Sequence, residues 1–115
     1  MKQYEIWWAK LPGPAGKRPV LLLSRGDAYT YLNKFLVAEI TTTVRGIPVE
    51  IPLASAEGLP KKCVANCDNL RTVARPWLLK RLGALGKHRL QEVKRALGYA
   101  LDWEELIQAG RAREV

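Results

Sequence analysis

Histidine and cysteine are scarce in this chain of 115 residues: His88 is the only histidine, and Cys63 and Cys67 are the only cysteines. A structural zinc site normally takes four nitrogen or sulfur ligands, so these three residues do not complete a recognisable metal set, and no cofactor is expected. A disulfide is also excluded. Cys63 and Cys67 fall in a segment that reads as a strand, where an advance of about 3.3 Å per residue sets them ~13 Å apart, whereas a bridge needs Cα atoms within about 7 Å. Both are expected as reduced, buried thiols. Long apolar runs are missing too. The longest, Val20–Leu23 and Phe35–Ala38, fall far short of the ~18 residues that cross a bilayer, and Met1–Glu5 shows no apolar signal core. No membrane partner and a cytoplasmic location are expected. The last deficit is acidic. Eleven Asp plus Glu against nineteen Lys plus Arg leave a formal charge of +8, which suits a polyanionic partner, either nucleic acid or an acidic protein segment, with plain solubility as an equal explanation.

What the chain does have is enough apolar content, 48%, for one core and one domain over residues 1–115. Short apolar runs separated by Pro and Gly occupy its first two thirds: Tyr4–Lys10, Pro19–Ser24, Phe35–Thr41, Pro48–Pro52, Cys63–Asn66 and Leu70–Val73. That spacing predicts a small antiparallel β-barrel. Pro12–Gly16 reads as a tight loop that sets Lys17 and Arg18 at its exit, and Gly26–Asn33 and Ala54–Pro60 as surface loops. Beyond Arg75-Pro76 the pattern predicts a helical turn over Trp77–Lys80 and a last strand over Arg81–Leu85. An amphipathic helix follows over Lys87–Leu101, with Leu90, Val93, Ala96, Leu97, Ala100 and Leu101 on its apolar face. Asp102–Ala109 reads as a second helical piece with Asp102 as its N-cap.

Three blocks carry the chemistry: Lys17-Arg18-Pro19-Val20, then Ile40-Thr41-Thr42-Thr43 leading into Val44-Arg45-Gly46, then Asp68-Asn69-Leu70-Arg71-Thr72. Arginines and hydroxyls at the ends of short strands suit a phosphate grip, since Arg offers a planar fork of donors and Thr a compact, rotatable one. With Glu5-Ile6-Trp7-Trp8 near the start, these blocks in this order resemble the MazF/PemK (Kid) toxins of bacterial toxin-antitoxin systems, from about Tyr4 to about Leu101. The resemblance implies a mainly β fold, an SH3-like barrel with a C-terminal helix, that forms a homodimer. It implies a metal-independent endoribonuclease that cuts single-stranded RNA to a 2′,3′-cyclic phosphate and a 5′-hydroxyl, and an acidic antitoxin partner similar to MazE. The CcdB gyrase poisons share this barrel, so a non-enzymatic module that binds RNA or poisons gyrase is the alternative.

The family's central pair carries over to Arg18 and Thr41, with Thr42 or Thr43 in place of Thr41 if the register differs. Arg71 matches the Arg of the family's Arg-Thr motif and would be the second cation. Lys17, Thr42, Thr43, Arg45, Asp68, Arg71 and Trp8 are the candidate RNA contacts. Asp68-Asn69 also suits a turn or cap. Trp7 and Trp8 point to opposite sides of a strand, so at least one packs in the core; the other suits packing or a dimer contact ahead of stacking on an RNA base, because aromatics more often serve burial. Arg18 is rarely deprotonated and Thr41 is too weak an acid to carry the proton. Family members often carry Asp shortly after the Arg-Thr motif; here the position is Ala74, which transfers no proton, and the loop between the first two strands lacks the His or Glu often found there. His88 lies outside every matching block and reads as a surface residue.

Overall fold

A computed structural model describes residues 1–111. Six strands form one antiparallel sheet in the order β4-β5-β3-β2-β1-β6: β1 Glu5–Lys10, β2 Lys17–Leu22, β3 Lys34–Thr41, β4 Glu50–Leu53, β5 Cys63–Ala74 and β6 Leu78–Ala84. The short helix α1 is Ala28–Tyr31, and α2 Leu90–Leu101 and α3 Glu104–Arg111 close the chain. Alternation along the strands divides the apolar side chains into two cores. Ile6, Leu21, Ala38, Ile40, Ile51 and Ala65 face α2, whose Val93 and Ala96 are buried against them. Ala9, Val20, Leu22, Phe35, Val37 and Val73 face the other way, under Tyr29 of α1 and Leu78.

The sheet curls into a half-barrel rather than closing by a ladder, because β4 and β6 remain edges. The turn after β4 instead packs backbone to backbone against β6. A Cβ added to Gly58 would meet the Leu82 carbonyl, and one added to Gly83 would meet that of Glu57. Only glycine permits this approach. Both edges carry features that discourage further pairing: Pro52 in β4, and two register shifts where β6 pairs with β1.

Several sequence expectations change here. The runs Cys63–Asn66 and Leu70–Val73 are one strand, β5, and Asp68-Asn69 does not end it. Pairing with β3 jumps from Ala38↔Leu70 to Glu39↔Asn66, so Cys67, Asp68 and Asn69 bulge out; Asn66 Oδ1 accepts the Asp68 N–H at 2.8 Å. The expected helical turn at Trp77–Lys80 is a 3-10 turn over Arg75–Trp77, favoured by Pro76, after which β6 starts at Leu78 as the outer partner of β1. Asp102 does not cap α3; it takes a left-handed conformation (φ 52°) at the end of α2, which suits a short polar residue. That turn leaves Leu101 exposed. The loop Gly26–Asn33 contains α1 with Ala28 and Tyr29 buried, and Ala54–Pro60 buries Glu57 and Leu59. Cys63 and Cys67 are free, buried thiols, and burial, with the nearby Asp68 charge adding to it, pushes Cys67 up to about 12.

Candidate active site

Strand register assembles the site. Val20 pairs with Glu39 in the β2/β3 ladder, and Arg18 lies two residues before Val20, hence on the same face. Arg71 pairs with Val37, two residues before Glu39, and so joins that face from β5. Thr41 is two residues beyond Glu39 on β3. Continuing the register would set Thr41 opposite Arg18, but the β2/β3 ladder stops at Val20, just before Pro19, which has no N–H to donate. The three sequence blocks thus converge on the face that carries the Phe35 core, where apolar packing gives way to charge.

At the centre is Glu39, which the sequence reading did not single out. Its Oε1 lies 3.0 Å from Arg18 Nη1 and its Oε2 3.4 Å from Arg71 Nη1. The Glu39 side chain is 15% exposed, against 34% for Arg18 and 28% for Arg71. Two cations around one carboxylate leave a local charge of +1. A guanidinium carries five N–H donors, and Glu39 takes one from each arginine. Arg18 Nε and Arg71 Nε are buried without an acceptor, the two unpartnered buried side-chain donors among the described residues. An unmade bond of this kind costs about 1–3 kcal/mol, so the two guanidiniums are held short of full hydrogen bonding, and it is their surplus charge beside one carboxylate that suits an anionic ligand. The signal in the sequence was a single acidic residue inside the apolar run Phe35–Ile40, two positions before Thr41.

The other sequence-nominated residues surround this centre unevenly. Lys17 is exposed beside Arg18. Thr41 Oγ1 accepts the Thr43 N–H at 3.1 Å, and Thr42, Thr43 and Arg45 are exposed on the segment leaving β3. That segment is held by buried Glu50, whose carboxylate accepts the N–H groups of Arg45, Gly46 and Ile47. Trp7 packs in the Phe35 core and donates its indole N–H to Glu5 at 3.1 Å. Trp8, on the opposite face of β1, lines an apolar groove of about 340 Å³ with Pro19, Ile40, Thr41, Thr42 and Lys61. Asp68 is exposed on the β5 bulge and makes no ion pair with the arginines. His88 is exposed in the turn before α2, outside the cluster. Among the described residues no three His, Cys, Asp or Glu side chains converge as a metal-ligand set, and no helix is long and apolar enough to cross a membrane.

A second ion-pair cluster lies on the α2 side. Arg89 donates from Nε and Nη2 to the Glu92 carboxylate at 2.8 and 2.7 Å, and from Nη2 to the Pro52 carbonyl at 2.6 Å; its Nη1 is 3.5 Å from Glu57. The hydrogen bonds from Arg89 hold the Glu92 carboxyl below the usual carboxylate range, against the upward push of burial. A larger groove of about 620 Å³ borders this cluster, lined by Ile47, Pro52, Leu53, Arg89 and Arg95. Of the two grooves, the smaller includes Thr41, and its other strand residues Trp8, Pro19 and Ile40 belong to the sheet face opposite Arg18 and Glu39.

Residues 2–101 match the family model described as the PemK-like, MazF-like toxin of type II toxin-antitoxin systems. The chain is 36% identical over 99 residues to the Mycobacterium tuberculosis protein named probable endoribonuclease MazF5, covering 85% of this chain and 90% of that one. It is 39% identical over 88 residues to endoribonuclease MazF3 of the same species, covering 75% and 85%. Among solved structures it resembles the Mycobacterium tuberculosis toxin MazF-mt6, with a TM-score of 0.80 and 36% identity over 85% of this chain and 96% of that one. An endoribonuclease in complex with its cognate antitoxin from a mycobacterial species gives a TM-score of 0.79 at 23% identity over 90% of this chain and 96% of that one, a likeness of fold alone.

Proposed function

This chain belongs to the PemK-like, MazF-like toxin family, and on that premise we propose that it is an endoribonuclease toxin that cuts single-stranded RNA at a phosphodiester gripped by Arg18, Arg71 and Thr41. The observation that carries this reading is the Arg18–Glu39–Arg71 cluster, with its surplus positive charge and two unpaired Nε donors. In the reaction the 2′-hydroxyl oxygen bonds to phosphorus, the bond from phosphorus to the 5′-oxygen breaks, and one proton leaves the nucleophile while another reaches the departing oxygen. Negative charge grows on the non-bridging oxygens meanwhile. Two guanidiniums aimed at those oxygens lower the barrier because they bind the transition state more tightly than the ground state. The Thr41 hydroxyl gives a further donor, and Lys17, Thr42, Thr43, Arg45, Asp68 and Trp8 extend the contact along the strand. Trp8 fits best as a wall of the groove beside Thr41, where an unpaired base can lie against it.

The non-catalytic alternative, a barrel that only binds RNA or poisons gyrase, is not favoured, because relatives 36–39% identical over most of the chain carry endoribonuclease names. An acidic antitoxin segment fits as the partner, since a chain of charge +8 attracts either polyanion. We take residues 1–115 as one toxin domain working as a homodimer in the cytoplasm, where two free thiols remain reduced. The test is to incubate the protein with a long unstructured RNA in EDTA and map the ends. Cuts that persist and leave 2′,3′-cyclic phosphate and 5′-hydroxyl ends are expected, with duplex RNA and DNA spared, because a duplex holds its backbone away from in-line geometry and DNA lacks the nucleophile. Cutting that stops in chelator and returns with divalent ions would overturn the mechanism.

A further inference from the structure

Among the described residues Glu39 is the one carboxylate that contacts both Arg18 and Arg71. We propose that Glu39 is a positioning residue for RNA cleavage: it ties the two guanidiniums into one unit and directs their remaining N–H donors at the scissile phosphodiester. The proposal rests on the endoribonuclease reading and deepens it.

Three observations carry it. Both carboxylate oxygens are engaged, one per arginine, at 3.0 and 3.4 Å, and a carboxylate repels a phosphate, so Glu39 acts through the arginines rather than on RNA. The side chain is largely buried, 15% exposed, where charge pairs are weakly screened and hold their geometry. The backbone is also shaped here: the β5 bulge falls in the β3/β5 ladder between Ala38 and Glu39, with Leu70 and then Arg71 just beyond it on β5. Without Glu39 two guanidiniums on one sheet face would repel and separate. With it, one unit of positive charge remains, matching the single negative charge of a phosphodiester, and each arginine keeps four N–H donors that Glu39 does not take.

Glu39→Gln tests this in the full chain. An amide offers one acceptor and one donor group, so it can hold one arginine while turning N–H groups toward the other. The expected result is a kcat about tenfold or more below the parent, because misoriented donors miss the transition state. Affinity for an uncleavable oligonucleotide, 2′-deoxy at the scissile position, should rise, with its salt dependence steeper by about 0.7 in log–log slope for one added net positive charge. The acid limb of the kcat pH profile should be retained. The double variant Glu39→Gln with Arg71→Gln should lose less than the product of the single losses. Parent-level cleavage, multiplicative losses, or weaker oligonucleotide binding by a folded Glu39→Gln protein would overturn the proposal. So would loss of the acid limb, since Glu39 would then carry the proton itself. If Glu39→Gln fails to fold, Glu39→Asp, one methylene shorter, is judged by kcat alone: a loss supports the proposal and parent-level turnover overturns it. If the parent cuts no RNA, the endoribonuclease reading fails by itself, and the oligonucleotide arm still decides whether Glu39 tunes an anion grip: tighter binding by Glu39→Gln supports this and unchanged binding refutes it.

Discussion

Two ion-pair clusters in this protein use the same residue types in opposite ratio. At Glu39 one carboxylate serves two arginines; at Arg89 one arginine serves two carboxylates, Glu57 and Glu92. All three nitrogens of the Arg89 guanidinium have a partner, in Glu92, Glu57 and the Pro52 carbonyl, and Glu57 also accepts the Ala54 N–H at 2.8 Å. It ties α2 to β4 and to the turn that packs on β6. The Glu39 cluster joins β2, β3 and β5, strands already paired in the sheet, and leaves two buried donors unmatched. The difference teaches how to tell a structural ion pair from a ligand site: a satisfied cluster holds elements together, whereas one with surplus charge and unmatched donors is prepared for a partner.

Exchanging charge geometry at Arg18 should have the largest effect. Arg18→Lys keeps the charge but replaces a planar fork with a point, and cleavage should fall by about 100-fold or more, by analogy with removing one oxyanion-hole donor. Thermal stability should barely move, since Arg18 is a partly exposed residue at the start of its strand. RNA binding should weaken far less than cleavage. Near-normal turnover by a folded Arg18→Lys protein would shift the weight to Arg71 and erase the contrast.

The reverse pattern is expected at the other cluster. Arg89→Ala strands Glu57, whose side chain is 9% exposed. After discounting for the 29% exposure of Glu92, the cost is about 2 kcal/mol, or a Tm lower by roughly 8 °C. Cleavage per folded molecule should stay within about twofold, since the two clusters share no partner. A large loss of turnover without loss of stability would show that Arg89 also serves the reaction.

A smaller effect appears in acid. Folding lowers the Glu92 carboxyl below its ordinary value of 4.5, so its contribution is complete above that value and disappears as pH falls through the lower, folded one. Tm measured from pH 6 down should decline below about pH 4.5, and Arg89→Ala should flatten that decline. An identical slope in both proteins would detach Glu92 from Arg89.

Much of this contrast was legible in the sequence, though unequally. Arg18, Thr41 and Arg71 stand in blocks whose residue types suit a phosphate grip, and the strands that carry them alternate clearly enough to be read. Glu39 was not legible, because its meaning comes from register: only the pairing of Val20 with Glu39 and of Val37 with Arg71 brings one acidic side chain between two distant arginines. The β5 bulge was misread as a strand end because Asp68-Asn69 has turn composition, whereas the ladder resumes on either side of it. Trp77–Lys80 was misread because nothing local shows that β1 needs an outer partner. Asp102 was placed as a cap of α3 because Asp suits both an N-cap and a left-handed position, and tertiary packing of α3 on α2 selected the second.

The central claim is that RNA phosphate engages the guanidiniums joined by Glu39. The most direct measurement follows the arginine Nε–H resonances by NMR while an uncleavable single-stranded oligonucleotide is titrated. The signals of Arg18 and Arg71 should shift together and exchange more slowly with water as their guanidiniums engage phosphate oxygens, while Arg89 stays unchanged. If Arg89 shifts and Arg18 and Arg71 do not, the RNA site lies at the other cluster and the account is wrong.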